Sequence, residues 1–447
     1  MMDYVLDEDF ATNDIQYFFT IHGPRFEYMN QAMAASLSAR FGKKFRSIRI
    51  LNAWPSNRYS TGNYVVMNKR GYKLSKDLGK PVVYLPDYED VNVEFRCNQT
   101  IQEIAAKLLK KQQTVFVYPF TTSFLDLPAD VFTVLGPDSR LAKTYDNKVN
   151  QLKLFEKLNL PHNRANIFTD EAALLKNQVD LVPCYLSASY TSGGNESGII
   201  YDQTMLHEFL AKLRDINKEN SFIVSDIFED IVLAPNINAI VTEQGKVYIL
   251  VIADQILQGN RYLGNLYPSV AKPKHIKQIR DITETLGNYL ASKGYKGLFG
   301  CDFLINRKGD LIVVDLNPRH QGGYAINGLA LQKKNLSLTD LELATYQSEE
   351  VVLSQAELNK QLDFAWSHSK LVPAEKGQVV LNEYCLNDIE APFKTVGESF
   401  AAEFYRTGSV FIEGYIGYQV QTAQRRDQLE TKMLQVEDKY KTSVFGL

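Results

Sequence analysis

Apolar residues in the first third of the chain fall into short unbroken runs separated by stretches with helical spacing. RSIRILNA (46–53), PVVYLP (81–86), TVFVYPF (114–120) and VFTVLGP (131–137) read as short buried strands, while Met29–Phe41 and Ile101–Lys111 repeat apolar positions every three or four residues. That alternation predicts a parallel α/β layer. KVNQLKLFEKLNLP (148–161) reads as a helix ended near Asn159, with proline close behind. From Val182 to Val251 the strand signals are PCYLSAS, SFIVSDIF, INAIVTE and KVYILVIADQIL, grouped around a helix over Thr204–Ile216. A long helix over Lys274–Ala291 follows, then a hairpin. After about Thr345 the pattern becomes a helix over Leu353–Phe364, the strand signals QVVLNEYCL and SVFIEGYIGYQV, and a charged terminal helix from about Arg425 to Lys441. The charge run of that last helix reads as a solvated face. No internal repeat or low-complexity linker interrupts the chain.

The hairpin, GLFGCDFLINRKGDLIVVDLNPRHQGG (297–323), is the most informative segment. DFLI and LIVVDLN favour strands, and NRKG between them is a turn signal. A two-residue turn at Lys308-Gly309 sets Asp302 directly opposite Asp315. A four-residue loop, Asn306 to Gly309, sets Asp302 opposite Val313 instead. Side chains alternate faces along a strand, so either register leaves Asp302, Asp315 and Asn317 on one face. A three-residue loop without a compensating bulge would break this arrangement. Three hard oxygen ligands on one face suit Mg²⁺, which binds a couple of carboxylates and takes its remaining ligands from water and phosphate. Cys301 points to the opposite face and reads as core.

With 447 residues, 45% of them hydrophobic and 23% charged, the chain is a globular protein of two or three domains. A formal net charge of −3 gives no electrostatic case for nucleic acid or an anionic membrane as partner. No run approaches the roughly 20 apolar residues that span a bilayer. The start, MMDYVLDEDF, is acidic where a secretory signal is basic. Cys97, Cys184, Cys301 and Cys385 lie far apart without metal-type spacing, as expected of reduced thiols in a cytoplasm. Trp54 and Trp366 read as packing residues, and His22, His162, His207, His275 and His368 fall in no ligand spacing.

Between two strand signals lies SASYTSGGNESG (187–198), where small residues and glycines let backbone N–H groups approach phosphate oxygens. Alone it is an ordinary hairpin loop; its place in the chain gives it meaning. A lysine after an Asx turn (Asp146-Asn147-Lys148), this loop, a short interstrand segment and the acid–acid–Asn hairpin follow one another in an order that resembles the ATP-grasp superfamily, over roughly 135–345. The interval of thirteen residues from Lys148 to Pro161 also matches. DQILQGNRYLGNLYP and GLFGCDFLI resemble the branch of carboxylate–amine (amino acid and peptide) ligases.

The resemblance implies an ATP-grasp architecture, α/β and α+β. A parallel layer (1–135) would precede two α+β lobes clamping ATP, one with the phosphate loop (136–230) and one with the metal hairpin (231–345), and a small β/α extension (346–447) would follow. It implies ATP and Mg²⁺ as cofactors. Lys148, Ser192, Gly193 and Gly194 would meet the phosphates, Ser225, Asp226 and Ile227 the adenine and ribose, and Asp302, Asp315 and Asn317 the metal. Arg319, two positions beyond the amide, would meet the transferred phosphate. The family usually carries a second phosphate lysine on the strand before the Gly-rich loop; VPCYLSAS has none, and Arg261 is the candidate to replace it. Implied partners are a small carboxylate and an amine, with a homodimer as the commonest assembly. The implied reaction forms an amide or peptide bond through an acyl phosphate. A nucleotide-binding protein without turnover and an ATP-grasp phosphotransferase are the alternatives. His320 is expected either to orient a substrate or to sit on the surface as an ordinary polar residue.

Overall fold

The computed structural model describes residues 4–21, 27–51, 63–66, 88–176, 181–190, 196–215, 221–373, 377–381, 408–412, 417–440 and 442–443. Its first layer is a six-stranded sheet of β1 (Tyr4–Val5), β2 (Ile15–Ile21), β3 (Lys44–Leu51), β4 (Asn63–Val66), β5 (Val115–Pro119) and β6 (Phe132–Val134) in the order β1-β4-β3-β2-β5-β6. All neighbours from β4 to β6 are parallel, and only β1 runs antiparallel. Around it lie α1 (Glu27–Phe41), α2 (Tyr88–Cys97) and α3 (Gln99–Lys110), the last capped by Asn98, whose side chain accepts from the Ile101 N–H. Phe19, Phe95, Ile101, Leu108 and Phe132 fill one face of this layer.

The apolar-run reading passes over β2, although IQYFFTI holds the three aromatics Tyr17, Phe18 and Phe19, all fully buried. That strand decides the topology. From β2 the chain builds outward through β3 and β4, then returns to lay β5 and β6 on the other side, so the order reverses between β2 and β5. Open parallel sheets leave a crevice at such a point, outside the carboxyl ends of the strands. The expected strand 81–86 and Trp54 lie outside the described residues.

α4 (Ser139–Asp146) and α5 (Lys148–Lys157) lead into a small antiparallel sheet of β7 (Ala165–Phe168), β8 (Cys184–Ala188), β9 (Ser197–Ile200) and β10 (Phe222–Ser225), ordered β7-β10-β8-β9. α6 (Glu171–Lys176) and α7 (Gln203–Asp215) belong to this unit. Its core comprises Leu174, Leu186, Leu206, Leu210 and Phe222. The segment 191–195 between β8 and β9 is outside the described residues, so nothing is assigned to Ser192, Gly193 and Gly194 beyond their place in that hairpin.

A nine-stranded sheet follows. It contains β11 (Ile231–Leu233), β12 (Pro235–Val241), β13 (Val247–Gln258), β14 (Arg261–Tyr267), β15 (Gly297–Asn306) and β16 (Leu311–Asn317). The long helix α8 (Pro273–Ser292) packs Ile279, Ile282, Leu286 and Leu290 against the face that carries Phe299, Cys301 and Val313. The hairpin acids are therefore left on the other face, which is partly roofed by α9 (Tyr324–Gln332) and α10 (Leu338–Tyr346). The chain ends with α11 (Gln355–Asn359), β17 (Ala365–Pro373), β18 (Gly377–Leu381), β19 (Gly408–Ile412), β20 (Gly417–Ala423), α12 (Arg426–Tyr440) and β21 (Thr442–Ser443).

Two expectations change here. Leu353–Phe364 forms helix only over Gln355–Asn359, because Leu358 alone is buried from it before the chain extends into β17. SVFIEGYIGYQV divides into β19, paired with β18, and β20, which joins β17 in the large sheet. Arg261 follows the β12–β13 pair, as its place in the sequence implies, and opens a further strand, β14. Trp366 is fully buried on β17, as packing requires. Among the described residues no helix is long and apolar enough to cross a membrane.

Candidate active site

Asp302 stands directly opposite Asp315, and Gly300 opposite Asn317. Neither turn considered from sequence brings this about. Near the tip the register is Ile305↔Leu311, and Asn306 N–H donates to the Asp310 carbonyl at 3.1 Å, so the loop is the three residues Arg307 to Gly309. Gly309, at φ +87°, supplies the left-handed residue that such loops need. A bulge between Asp302 and Phe303 in the pairing, with Val314 as the extra residue on β16, then restores the register. The loop that would have broken the site is thus offset by its bulge.

Around these acids the polar atoms are shared. The Asn236 side-chain amide donates to Asp302 Oδ1 and, at 3.0 Å, to Gln321 Oε1; Gln321 Nε2 reaches Asp302 Oδ1 at 3.3 Å. Asn317 Nδ2 donates to Asp302 Oδ2 at 3.2 Å. Lys148 Nζ forms an ion pair with Asp315 Oδ1. Burial, and then the neighbouring Asp315 charge, push the Asp302 carboxyl up to about 6, against the opposing pull of Asn236, Lys148 and Arg319.

Lys148 is fixed from two sides. Asn147 caps α5, accepting from the Asn150 N–H at 3.2 Å, and the Lys148 N–H donates to the Ser189 carbonyl at 2.7 Å, at the base of the Gly-rich hairpin. Gln151, which the sequence reading does not single out, clamps this helix to the β15–β16 hairpin. Its buried amide donates to the Leu316 carbonyl at 2.6 Å and accepts from the Leu316 N–H at 3.1 Å. Arg319 Nε lies 3.4 Å from Asp146 Oδ1, its Nη1 donates to the His320 carbonyl at 3.2 Å, and its guanidinium sits 5.7 Å from the Phe120 ring centroid. Lys148, Asp302, Asp315, Asn317 and Arg319 therefore share one site.

Ser225 ends β10, and Asp226 and Ile227 lie in the connection from the small sheet to the large one. That connection is held by Asp226 N–H to the Arg164 carbonyl at 3.1 Å and Asn163 Nδ2 to the Asp226 carbonyl at 3.0 Å. Arg261 makes no ion pair among the described residues, but its neighbour Asn260 donates to the Ser197 carbonyl at 2.5 Å. The β13–β14 turn thereby touches the strand that leaves the Gly-rich loop.

His320 is buried, which removes the surface alternative. Its Nε2 is 2.6 Å from Oε1 of Glu342, a fully buried acid on α10, and the other carboxylate oxygen accepts from Tyr118 at 2.7 Å and from Tyr324. This network ties β5 of the first layer to the large sheet. The adjacent glycines have a steric role. A Cβ on Gly322 would come within 2.5 Å of the Tyr262 ring, and one on Gly323 within 2.8 Å of Asn265 Oδ1. The segment after the hairpin therefore lies flat on the sheet.

Among the described residues no group of three or more His, Cys, Asp or Glu is placed to hold a metal. Two carboxylates and one amide, close together and offset by Lys148 and Arg319, instead suit a magnesium ion that completes its shell with water and phosphate. A pH dependence follows. Because the Asp302 pKa lies above its unfolded value near 3.9, its contribution to stability is full below about pH 4 and is lost as pH rises through 6. A divalent cation prefers the ionised carboxylate, so Mg²⁺ affinity should fall below pH 6 by up to about tenfold per unit. Calorimetric titration from pH 5 to 8 checks this, and a flat profile contradicts it.

Residues 175–323 match the family model for the ATP-grasp domain. The chain is 30% identical over 104 residues to L-propargylglycine–L-glutamate ligase of Streptantibioticus cattleyicolor, covering 23% of this chain and 21% of that protein. It is 22% identical over 223 residues to the butirosin acyl-carrier-protein–L-glutamate ligase of Niallia circulans, covering 48% and 53%. The chain thus spans about half or less of the length of these curated relatives. Biotin carboxylase of Campylobacter jejuni superposes with TM-score 0.63 at 13% identity, covering 97% of this chain and 93% of that one. Carboxyaminoimidazole ribonucleotide synthase of Aspergillus clavatus, complexed with ATP, superposes with TM-score 0.63 at 14% identity, covering 96% and 100%.

Proposed function

We propose that this chain, an ATP-grasp protein by its fold and by its domain over 175–323, is an ATP- and Mg²⁺-dependent ligase that joins a carboxylate to an amine through an acyl phosphate. The observation that carries this reading is the convergence of Lys148 and Arg319 on the sheet face that holds Asp302, Asp315 and Asn317. The two glutamate ligases among its relatives point to an amino acid as one substrate.

In the first step a carboxylate oxygen attacks the γ-phosphorus of ATP, and the bond to the bridging oxygen breaks to leave ADP. Two anions must meet, so positive charge at the meeting point is the main requirement. Asp302, Asp315 and Asn317 would hold Mg²⁺, which would supply positive charge to offset that of the phosphates. Lys148, leaving Asp315, would turn to the triphosphate, and Arg319 would leave Asp146 for the incoming carboxylate. Backbone N–H groups of the 191–195 loop would bind phosphate oxygens, and Ser225 to Ile227 would receive adenine and ribose. In the second step the amine attacks the acyl carbon and inorganic phosphate departs.

The test is ADP release with a panel of amino acids, alone and in pairs. Turnover that needs both a carboxylate and an amine, with a product whose mass is the sum of the two less water, supports the ligase. A product heavier by one phosphate indicates a phosphotransferase instead. The absence of a basic residue on β8 favours a second reading, nucleotide binding without turnover. ATP binding with no product across the panel would select it.

A further inference from the structure

Three parts of the site meet at one buried side chain. Gln151 stands one turn after Lys148 on α5 and is 1% exposed. Its amide nitrogen donates to the Tyr145 carbonyl at 2.8 Å and to the Leu316 carbonyl at 2.6 Å, and its oxygen accepts from the Leu316 N–H at 3.1 Å. Both donors and the acceptor of the amide are thereby used.

Where these partners sit gives the bonds their meaning. Tyr145 comes immediately before Asp146, which pairs with Arg319 at 3.4 Å. Leu316 stands between Asp315 and Asn317, and Asp315 pairs with Lys148. Among the described residues β16 pairs with β15 alone, so its other edge presents the Leu316 N–H and carbonyl to α5. A carboxamide carries the donor and acceptor of a peptide group, and Gln151 fills the place that a neighbouring strand would take. Farther along that edge the Val313 N–H donates to the Pro161 carbonyl at 2.8 Å, so the segment that bears α5 is pinned to β16 near both its ends.

We propose that Gln151 is a positioning residue for the reaction. It holds Lys148 and the Asp146–Arg319 pair at a fixed distance from the strand that carries Asp315 and Asn317. The proposal rests on the ligase reading and adds to it the residue that keeps the two halves of the site in register. Lys148 rides on a helix and the acids on a sheet, and a misplacement of about 1 Å between such groups costs about a hundredfold in rate. A side chain that only donates, only accepts or does neither cannot make the same three bonds.

The experiment compares wild type with Gln151→Met, which keeps the length and loses all three bonds. The control is Met433→Ala, a cavity beneath α12, which packs on β17 and β20 at the far end of the large sheet. Both variants should melt below wild type. At a temperature where both are fully folded, Gln151→Met should lower kcat/KM for ATP by about tenfold to a hundredfold, and Met433→Ala by less than about twofold. A double-mutant cycle with Lys148→Met separates alignment from general damage. A residue that acts through Lys148 has little left to lose once the lysine is gone, so the double variant should be within about threefold of Lys148→Met. Losses that multiply, or a Gln151→Met variant no slower than Met433→Ala, overturn the proposal. If Gln151→Met does not fold, Gln151→Asn, with both polar groups on a stem one methylene shorter, goes through the same cycle.

A second arm needs no turnover: calorimetry of a non-hydrolysable ATP analogue with Mg²⁺. Gln151→Met should weaken its binding by about tenfold, and by less than about threefold when Lys148→Met is already present. That result upholds the positioning role even where no pair of amino acids is joined and the ligase reading fails. Where there is no turnover, equal affinity in wild type and Gln151→Met overturns the positioning role and leaves nucleotide binding standing.

Discussion

Asp315→Ala should lower ATP-dependent ADP release by at least a hundredfold, and by about a thousandfold if the carboxylate holds the cation as proposed. Asp315 sits opposite Asp302 and pairs with Lys148, so its loss removes a ligand of the proposed cation and leaves a partly buried ammonium without its ion-pair partner. The fold should tolerate the change. Asp302 loses the like charge that, after burial, does most to raise its carboxyl, and that relief works against the lost ion pair. Asp315→Asn should be equally slow while keeping the shape of the strand, which separates charge from packing. Steady-state ADP release with the melting temperature measured alongside is the check. A well-folded alanine variant within tenfold of wild type would remove the hairpin from the chemistry.

The placement of these acids was legible in the sequence because strand alternation is insensitive to a register shift of two residues. What could not be read was the pairing itself. A three-residue loop with Gly309 in the left-handed region and a bulge at Val314 reaches the same facing of Asp302 and Asp315 by a route that periodicity cannot distinguish. The passage over β2 has another cause: IQYFFTI follows an acidic, irregular start, and the Asn13-Asp14 turn signal that frames it was not weighed against the run that follows. Gln151 reads as one more polar position on an amphipathic helix, because its bonds are to backbone 165 residues away. The Gly322-Gly323 pair carries no sequence signal as clearance for Tyr262 and Asn265, which belong to a strand that the reading did not delimit. One signal for the buried network was present and unused. Glu342 is an acid within LTDLELATY, where most of its neighbours are core residues, and an acid on a buried helix needs partners.

Those partners set the second large effect, on stability. Glu342→Leu is expected to cost about 3 kcal/mol, because it removes the buried acceptor shared by the Tyr118 and Tyr324 hydroxyls and the His320 ring, while the two hydroxyls keep their bond to each other. For a chain of this size unfolding as one unit, that is a fall in melting temperature of about three degrees. Tyr118→Phe removes one donor and leaves the acid two others, so it should cost about half as much or less. Glu342→Gln, which can still accept, should fall between. Scanning calorimetry of the three variants gives the order, and a leucine variant as stable as wild type would mean that the network is dispensable. The damage should also reach the chemistry. The His320 carbonyl accepts from Arg319 Nη1, and the His320 N–H donates to the Phe120 carbonyl. Releasing the His320 ring frees the backbone against which the Arg319 guanidinium is aimed, at the junction of the first layer with the metal hairpin. At temperatures where Glu342→Gln is fully folded, kcat should therefore fall while KM for ATP holds, since the residues proposed to grip the nucleotide are anchored elsewhere.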